Sequence, residues 1–236
     1  MQLLKKLGKF ICYAFSIIVL GSGIAYIIYN KPIPKGEKGT KADALARKML
    51  HAIHQKDFAK TRYLEWSFNS GSHQYKWNIA KEIVTVQWKS NLVTLHLSNP
   101  DKNKVIVKNK RINISEKNIL VKKAIAHFNN DSFWLIAPFK VFDKGTERSI
   151  VILENGEEAL LVTHTLGGST PGDSYLWKLE PNGLPKSFQM WVKIIPIGGI
   201  EATWDDWKKM QNGVLLPTKH KIGPITLSMG NVKALP

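Results

Sequence analysis

Residues 63–97, YLEWSFNSGSHQYKWNIAKEIVTVQWKSNLVTLHL, alternate between apolar and polar side chains through most of their length. Leu64, Trp66 and Phe68 alternate with Tyr63, Glu65 and Ser67, and Tyr75, Trp77 and Ile79 alternate with Gln74, Lys76 and Asn78. Val84, Val86 and Trp88 continue the pattern, and Val93, Leu95 and Leu97 complete it. Successive side chains of a strand point to opposite faces, so a period of two with one apolar face predicts half-buried strands. The connections Asn69-Ser70-Gly71-Ser72 and Lys89-Ser90-Asn91 are short and turn-like, which makes consecutive strands neighbours in an antiparallel meander.

Helical spacing flanks this meander on both sides. Residues 41–56 place Ala42, Leu45, Ala46, Met49 and Ile53 on one narrow face. Residues 115–139 place Ile119, Leu120, Ala124, Ile125, Phe128, Phe133, Trp134 and Ile136 near a three-to-four spacing. Asn129-Asn130-Asp131-Ser132 predicts a break into two helices, with Asn130 or Asp131 capping the second and Pro138 ending it. Strand patterns resume at 149–153, 159–164, 174–179 and 187–195, with shorter ones near 213–217 and 224–228. The predicted fold class is α+β: a curved antiparallel β half-barrel with helices packed on its concave side, preceded by a transmembrane helix.

That helix is read from residues 10–29, FICYAFSIIVLGSGIAYIIY, an uncharged apolar run after Lys5, Lys6 and Lys9. About 20 helical residues cover the hydrocarbon core of a bilayer. A cleaved signal peptide is the competing reading, because Gly21-Ser22-Gly23 supplies small residues of the cleavage type. The expected organisation is a basic tail at 1–9, the span at 10–29, a Pro/Gly/Lys linker at 30–40 and one domain at 41–236. The expected location is the bacterial inner membrane, single-pass, with the C-terminal domain in the periplasm.

The single cysteine, Cys12, lies in the apolar run, so the domain has no disulfide framework and no cysteine metal site. The net charge of +16 falls only to +11 when the first 40 residues are removed. Such a surface favours anionic partners.

Trp66, Phe68, Tyr75, Trp77 and Trp88 share the inward face of the strands, and Phe133 and Trp134 lie on the helical region that covers them. They either fill an ordinary core or line a cavity for an apolar ligand. Trp66-Ser67-Phe68, the strand 73–77, the block 131–140 (DSFWLIAPFK) and the block 170–175 (TPGDSY) resemble, in order and spacing, an uncharacterised family of bacterial envelope proteins. Trp204-Asp205-Asp206-Trp207 and Gly213-Val214-Leu215-Leu216-Pro217 fit it as well. That family is similar in layout to the lipoprotein carrier LolA and acceptor LolB. The resemblance implies a half-barrel with a helical lid and a cavity for a lipid or the acyl chain of a lipoprotein, and it implies no catalysis and no cofactor.

Catalytic and metal constellations are weak. His51 and His54 lack an acidic residue at metalloprotease spacing. His164 with Asp173 and Ser169 has no nucleophile-elbow motif. No catalytic residue, metal ligand or cofactor is assigned, and the chain is not expected to be an enzyme. Lys102, Lys104, Lys108, Lys110 and Arg111 open a basic segment that is either a solubilising surface or a contact for an anionic lipid surface. Nucleic acid is not expected, since no binding module is present. The expected function is an envelope protein that binds an apolar ligand; the alternative is an interaction module that docks an envelope protein through its basic face or sheet edge.

Overall fold

The computed structural model describes Tyr13, Phe15, Gly21, Gly23 and residues 26–166 and 171–236. Two helices, α1 at Thr40–Ala52 and α2 at Gln55–Phe58, precede the strands. Ala42, Ala46 and Met49 give α1 its buried face. His54, left-handed at φ 57°, turns the chain between them, so the helix predicted over 41–56 is broken near its end.

The meander forms as predicted from the alternation. β1 (Tyr63–Phe68), β2 (His73–Asn78), β3 (Ile83–Trp88), β4 (Asn91–His96) and β5 (Lys104–Val107) pair antiparallel in sequence order. Their register sorts the inward side chains into rows. Phe68, His73 and Trp88 form one end row; Trp66, Tyr75, Val86 and Val93 the middle; Leu64, Trp77, Val84 and Leu95 the far end.

Across these rows lies α3, Ile114–Ile136, a continuous helix of 23 residues. A reciprocal capping box starts it: Asn113 Oδ1 accepts from the Glu116 amide at 2.9 Å, and Glu116 Oε2 accepts from the Asn113 amide at 3.1 Å. The predicted break at 129–132 does not occur. Asp131 and Ser132 are buried inside the protein instead of capping a second helix. A 3-10 turn at Ala137–Lys140, carrying Pro138, ends the helical region.

A second sheet follows. β6 (Thr146–Ile152), β7 (Glu158–His164), β8 (Ser174–Leu179), β9 (Pro185–Trp191) and β10 (Ile200–Thr203) are all antiparallel. β11 (Lys208–Lys209) pairs with β12 (Leu215–Leu216), β13 (Lys219–Ile222) with β14 (Ile225–Ser228), and β15 (Lys233–Leu235) returns to the free side of β1. The single curved sheet of the predicted half-barrel is thus two principal sheets, one of six strands and one of five. One hydrophobic core spans both, because α3 carries Phe128 to the first sheet and Trp134 to the second.

The predicted fold class also needs correction at its N-terminus. Among the described residues no helix is long and apolar enough to cross a membrane. The 23 residues of α3 have the length, but Lys117, Lys122, Lys123 and Asp131 make it an amphipathic helix of the domain. Of the span expected at 10–29, residues 26–29 are helical, and most of the others lie outside the described residues. The leader-cleavage alternative falls on the same segment.

Residues 30–38 are tied to the second sheet. Lys31 accepts from the Trp191 indole at 2.7 Å through its carbonyl, and Asn30 Oδ1 accepts from the Gly198 amide at 2.8 Å. Glu37 and Ile150 exchange two backbone bonds of 2.8 Å along the outer edge of β6, and Lys38 pairs with Glu147 at 2.7 Å. The bridge occupies the Ile150 position of that edge and so hinders the pairing of another strand there. Gly36 permits the approach, since a Cβ there would lie 2.8 Å from the Ile150 carbonyl oxygen.

In the core shared by the two sheets, His220 of β13 is fully buried, its ring 4.6 Å from Trp204 and 5.2 Å from Trp134. Nδ1–H donates to the Thr203 carbonyl at 2.9 Å. Burial pushes its pKa from 6.5 down to about 4. Only the unfolded chain takes up this proton between those values, so stability falls as pH drops from about 6.5 to about 4, by up to about 3 kcal/mol from this group. Urea denaturation across that window measures the loss. His220→Gln, which keeps a donor for Thr203, flattens the decline; an identical decline in that variant contradicts the assignment.

Candidate functional site

The most highly constructed cluster sits where α3 crosses the His73 row. Asp131, 1% exposed, accepts from Tyr75 Oη at 2.6 Å, from His73 Nδ1 at 2.6 Å and from Asn130 Nδ2 at 2.8 Å. Alternation puts His73 and Tyr75 on one face of β2, and the single helix puts Asp131 above both. A buried carboxylate is stable only with such donors. The Tyr75 hydroxyl is held far above its ordinary pKa, first by burial and then by the adjacent carboxylate.

Asp131 also fixes the imidazole of His73. With Nδ1–H donating to the carboxylate, Nε2 is the ring nitrogen left for other partners. The His127 ring lies 4.0 Å from that of His73 and 5.4 Å from that of Trp88. Burial lowers the His127 pKa, and the neighbouring His73 lowers it further. A pocket of about 370 Å³ opens at this end of the sheet, lined by His73, Gln74, Gln87, Trp88 and Lys89 with the Gly71-Ser72 turn.

Deeper between sheet and helix the surroundings are aromatic. Trp66 stacks on Tyr75 at 4.6 Å, and Trp77 meets Phe128 edge-on at 5.1 Å. Three buried polar atoms here, Trp66 Nε1, Trp77 Nε1 and His127 Nε2, have no hydrogen-bond partner among the described residues. Two are obligate donors.

The predicted lining residues therefore divide into two groups. Trp66, Phe68, Tyr75, Trp77 and Trp88 come together beneath the His127–Phe128 turn of α3. Phe133 and Trp134 face the second sheet, at 4.7 Å from Tyr175 and 5.5 Å from Phe188. His73, His127 and Asp131 were not among the sequence candidates. Their signal was the placement of His73 in phase with Tyr75 and Trp77, a polar residue on an otherwise apolar face.

Other candidates separate. His54 Nδ1 bonds to the Gly213 carbonyl at 2.8 Å, and a cleft of about 730 Å³ runs past it between Arg47, His51 and Lys60. No group of three metal-ligating side chains occurs among the described residues. Asp173 accepts from the Lys193 amide at 3.0 Å, and Ser169 and Thr170 lie outside the described residues. Asp205 and Asp206 serve different hydroxyls, those of Thr203 and Thr218, both at 2.5 Å. Of the basic residues, Lys102 ends a 3-10 turn, Lys104 stands on the edge strand β5, Lys108 and Arg111 follow it, and Lys110 pairs with Glu116 at 2.5 Å.

No family model matches the chain, and no curated protein matches it. Among solved structures it is similar to the crystal structure of a DUF1329 family protein from Desulfovibrio piger, at 9% identity over 82% of this chain and 92% of that one, with a TM-score of 0.43. A likeness this loose carries neither fold nor function to this chain.

The Asp131 cluster can be tested as the clamp between helix and sheet. Asp131→Ala leaves Tyr75 and His73 without their acceptor and is expected to cost about 2–4 kcal/mol, against about 1 kcal/mol for Tyr75→Phe. Urea unfolding midpoints measure both; a stability unchanged in Asp131→Ala contradicts the clamp.

Proposed function

We propose that this protein is a non-catalytic binding protein that takes an apolar ligand of the acyl-chain class between β1–β4 and α3, with the polar end of the ligand at the His73 pocket. The observation that carries the reading is the set of three buried polar atoms without partners, on Trp66, Trp77 and His127, among packed aromatic side chains whose sheet ends at that pocket. Ligand sites combine apolar walls with a few convergent polar groups of this kind. The motif resemblance to the LolA and LolB layout points to the same ligand class, and an envelope location belongs to the proposal on that resemblance alone.

Catalysis is the weaker reading of the same residues. An imidazole backed by a carboxylate suits a general base, but a nucleophile must stand within hydrogen-bond reach of it. The nearest hydroxyl in sequence, Ser72, donates to the Phe68 carbonyl at 3.2 Å instead. Docking of a protein partner is favoured by one feature, the outer position of β5 with Lys104 and Ile106 exposed along it. Charge on an edge strand also serves simply to block unwanted pairing.

Native mass spectrometry of the full chain, purified without added lipid, is the test. The expected result is a non-covalent adduct of lipid mass that Trp77→Glu releases while circular dichroism remains that of the folded chain. Repeated recovery of ligand-free protein contradicts the proposal, and a stoichiometric crosslinked protein partner lost on charge reversal of Lys108 and Arg111 favours the docking reading.

A further inference from the structure

The helix α3 that packs on the first sheet has a second face. Residues 102–130 carry eight lysines and arginines and one carboxylate, Glu116, which is already engaged by Lys110. Within this segment the solvent side of α3 exposes Ile114 (69%), Ile119 (63%) and Ile125 (41%), with Lys122 and Lys123 between them. Helical spacing grouped Ile119 and Ile125 with Ala124 and Phe128; Ala124 and Phe128 are buried, and the two isoleucines are not. Single exposed isoleucines are ordinary on a protein surface, and what distinguishes these three is that they share the solvent side of one helix with an excess of lysine.

We propose that the solvent face of α3 is a docking surface for an anionic lipid bilayer, with the isoleucines entering the headgroup region and the lysines pairing with lipid phosphates. An amphipathic interfacial helix needs both parts, apolar side chains to insert and cations to hold the surface. An acidic protein would match the lysines but would not require isoleucines spaced singly among them. The basic segment reaches the pocket end of the first sheet after β5: the Lys108 amide bonds to the Ser90 carbonyl at 3.0 Å, next to Lys89 of the pocket lining, whereas Lys102 and Lys104 stand towards the other end. Docking by this face would bring the pocket mouth close to the lipid surface. The inference stands on the surface of α3 and is independent of what occupies the interior.

The test reads the face itself, so that attachment through any other part of the full chain does not enter. An environment-sensitive fluorophore is placed on Ile119→Cys in a Cys12→Ser background, and in parallel on Ile152→Cys, which is 61% exposed on a different element. With phosphatidylcholine vesicles containing phosphatidylglycerol, the label at position 119 shifts to the blue and the label at 152 does not; with phosphatidylcholine alone neither shifts. Lys122→Gln and Lys123→Gln each weaken the response about fivefold. No shift at 119, equal shifts at both positions, or a response indifferent to the lysines overturns the proposal. Lipid adducts in mass spectrometry are scored separately, so failure here leaves the interior-ligand reading standing, and the reverse.

Discussion

A carboxylate withdrawn from water must be surrounded by donors, and Asp131 obtains them from three residues on two elements. That requirement fixes how α3 lies on the first sheet. His73 and Tyr75 are two residues apart on β2, so bonding both to one carboxylate sets the position of the helix along the strand and its rotation about its own axis. With that rotation set, Phe128 falls over Trp66 and Trp77, His127 over His73 and Trp88, and Trp134 reaches the second sheet. The outward face that results is the one bearing Ile114, Ile119 and Ile125.

The indoles of this chain fall into contrasting classes. Trp191 donates to the Lys31 carbonyl, and Trp207 donates to the carbonyls of Pro185 and Trp204 at 3.0 and 2.9 Å. Those two serve the architecture. Trp66, Trp77 and Trp204 bury their indole N–H without an acceptor among the described residues, and a buried donor left unmet costs about 1–3 kcal/mol. Natural cores avoid that cost at most positions, and exceptions cluster where something else supplies the bond. Two of these donors lie with His127 Nε2 around Phe128, towards the end of the sheet where the His73 pocket opens, and that placement supports the proposed ligand reading; Trp204 Nε1 and His220 Nε2 are unmet in the core shared by the two sheets.

Local patterns in the sequence disclosed the first four strands, because a half-buried meander writes its period directly into the order of residues. Leu64, Trp66, Phe68, Tyr75, Val84, Val86 and Trp88 all occupy the inner face anticipated for them. Long-range decisions were not legible. The run 129–132 has the composition of a helix break, and only the sheet beneath it turns Asp131 into a buried acceptor and keeps α3 whole. β15 has three residues and finds its partner at β1, far back in the chain. The division into two sheets likewise depends on where ladders stop. Of the candidate site, the gathering of the aromatics on one face was readable by alternation, whereas His73 gains its role only from the carboxylate that a distant helix brings to it.

The account rests on the Trp66 and Trp77 indoles meeting a ligand, and their N–H groups can be watched one by one. Proton–nitrogen correlation spectra of the full chain titrated with oleate measure this most directly. The predicted result is a shift of the Trp66 and Trp77 indole signals while those of Trp191 and Trp207, already bonded within the protein, stay in place. Fixed Trp66 and Trp77 signals in excess oleate, or all indole signals moving together, would contradict it.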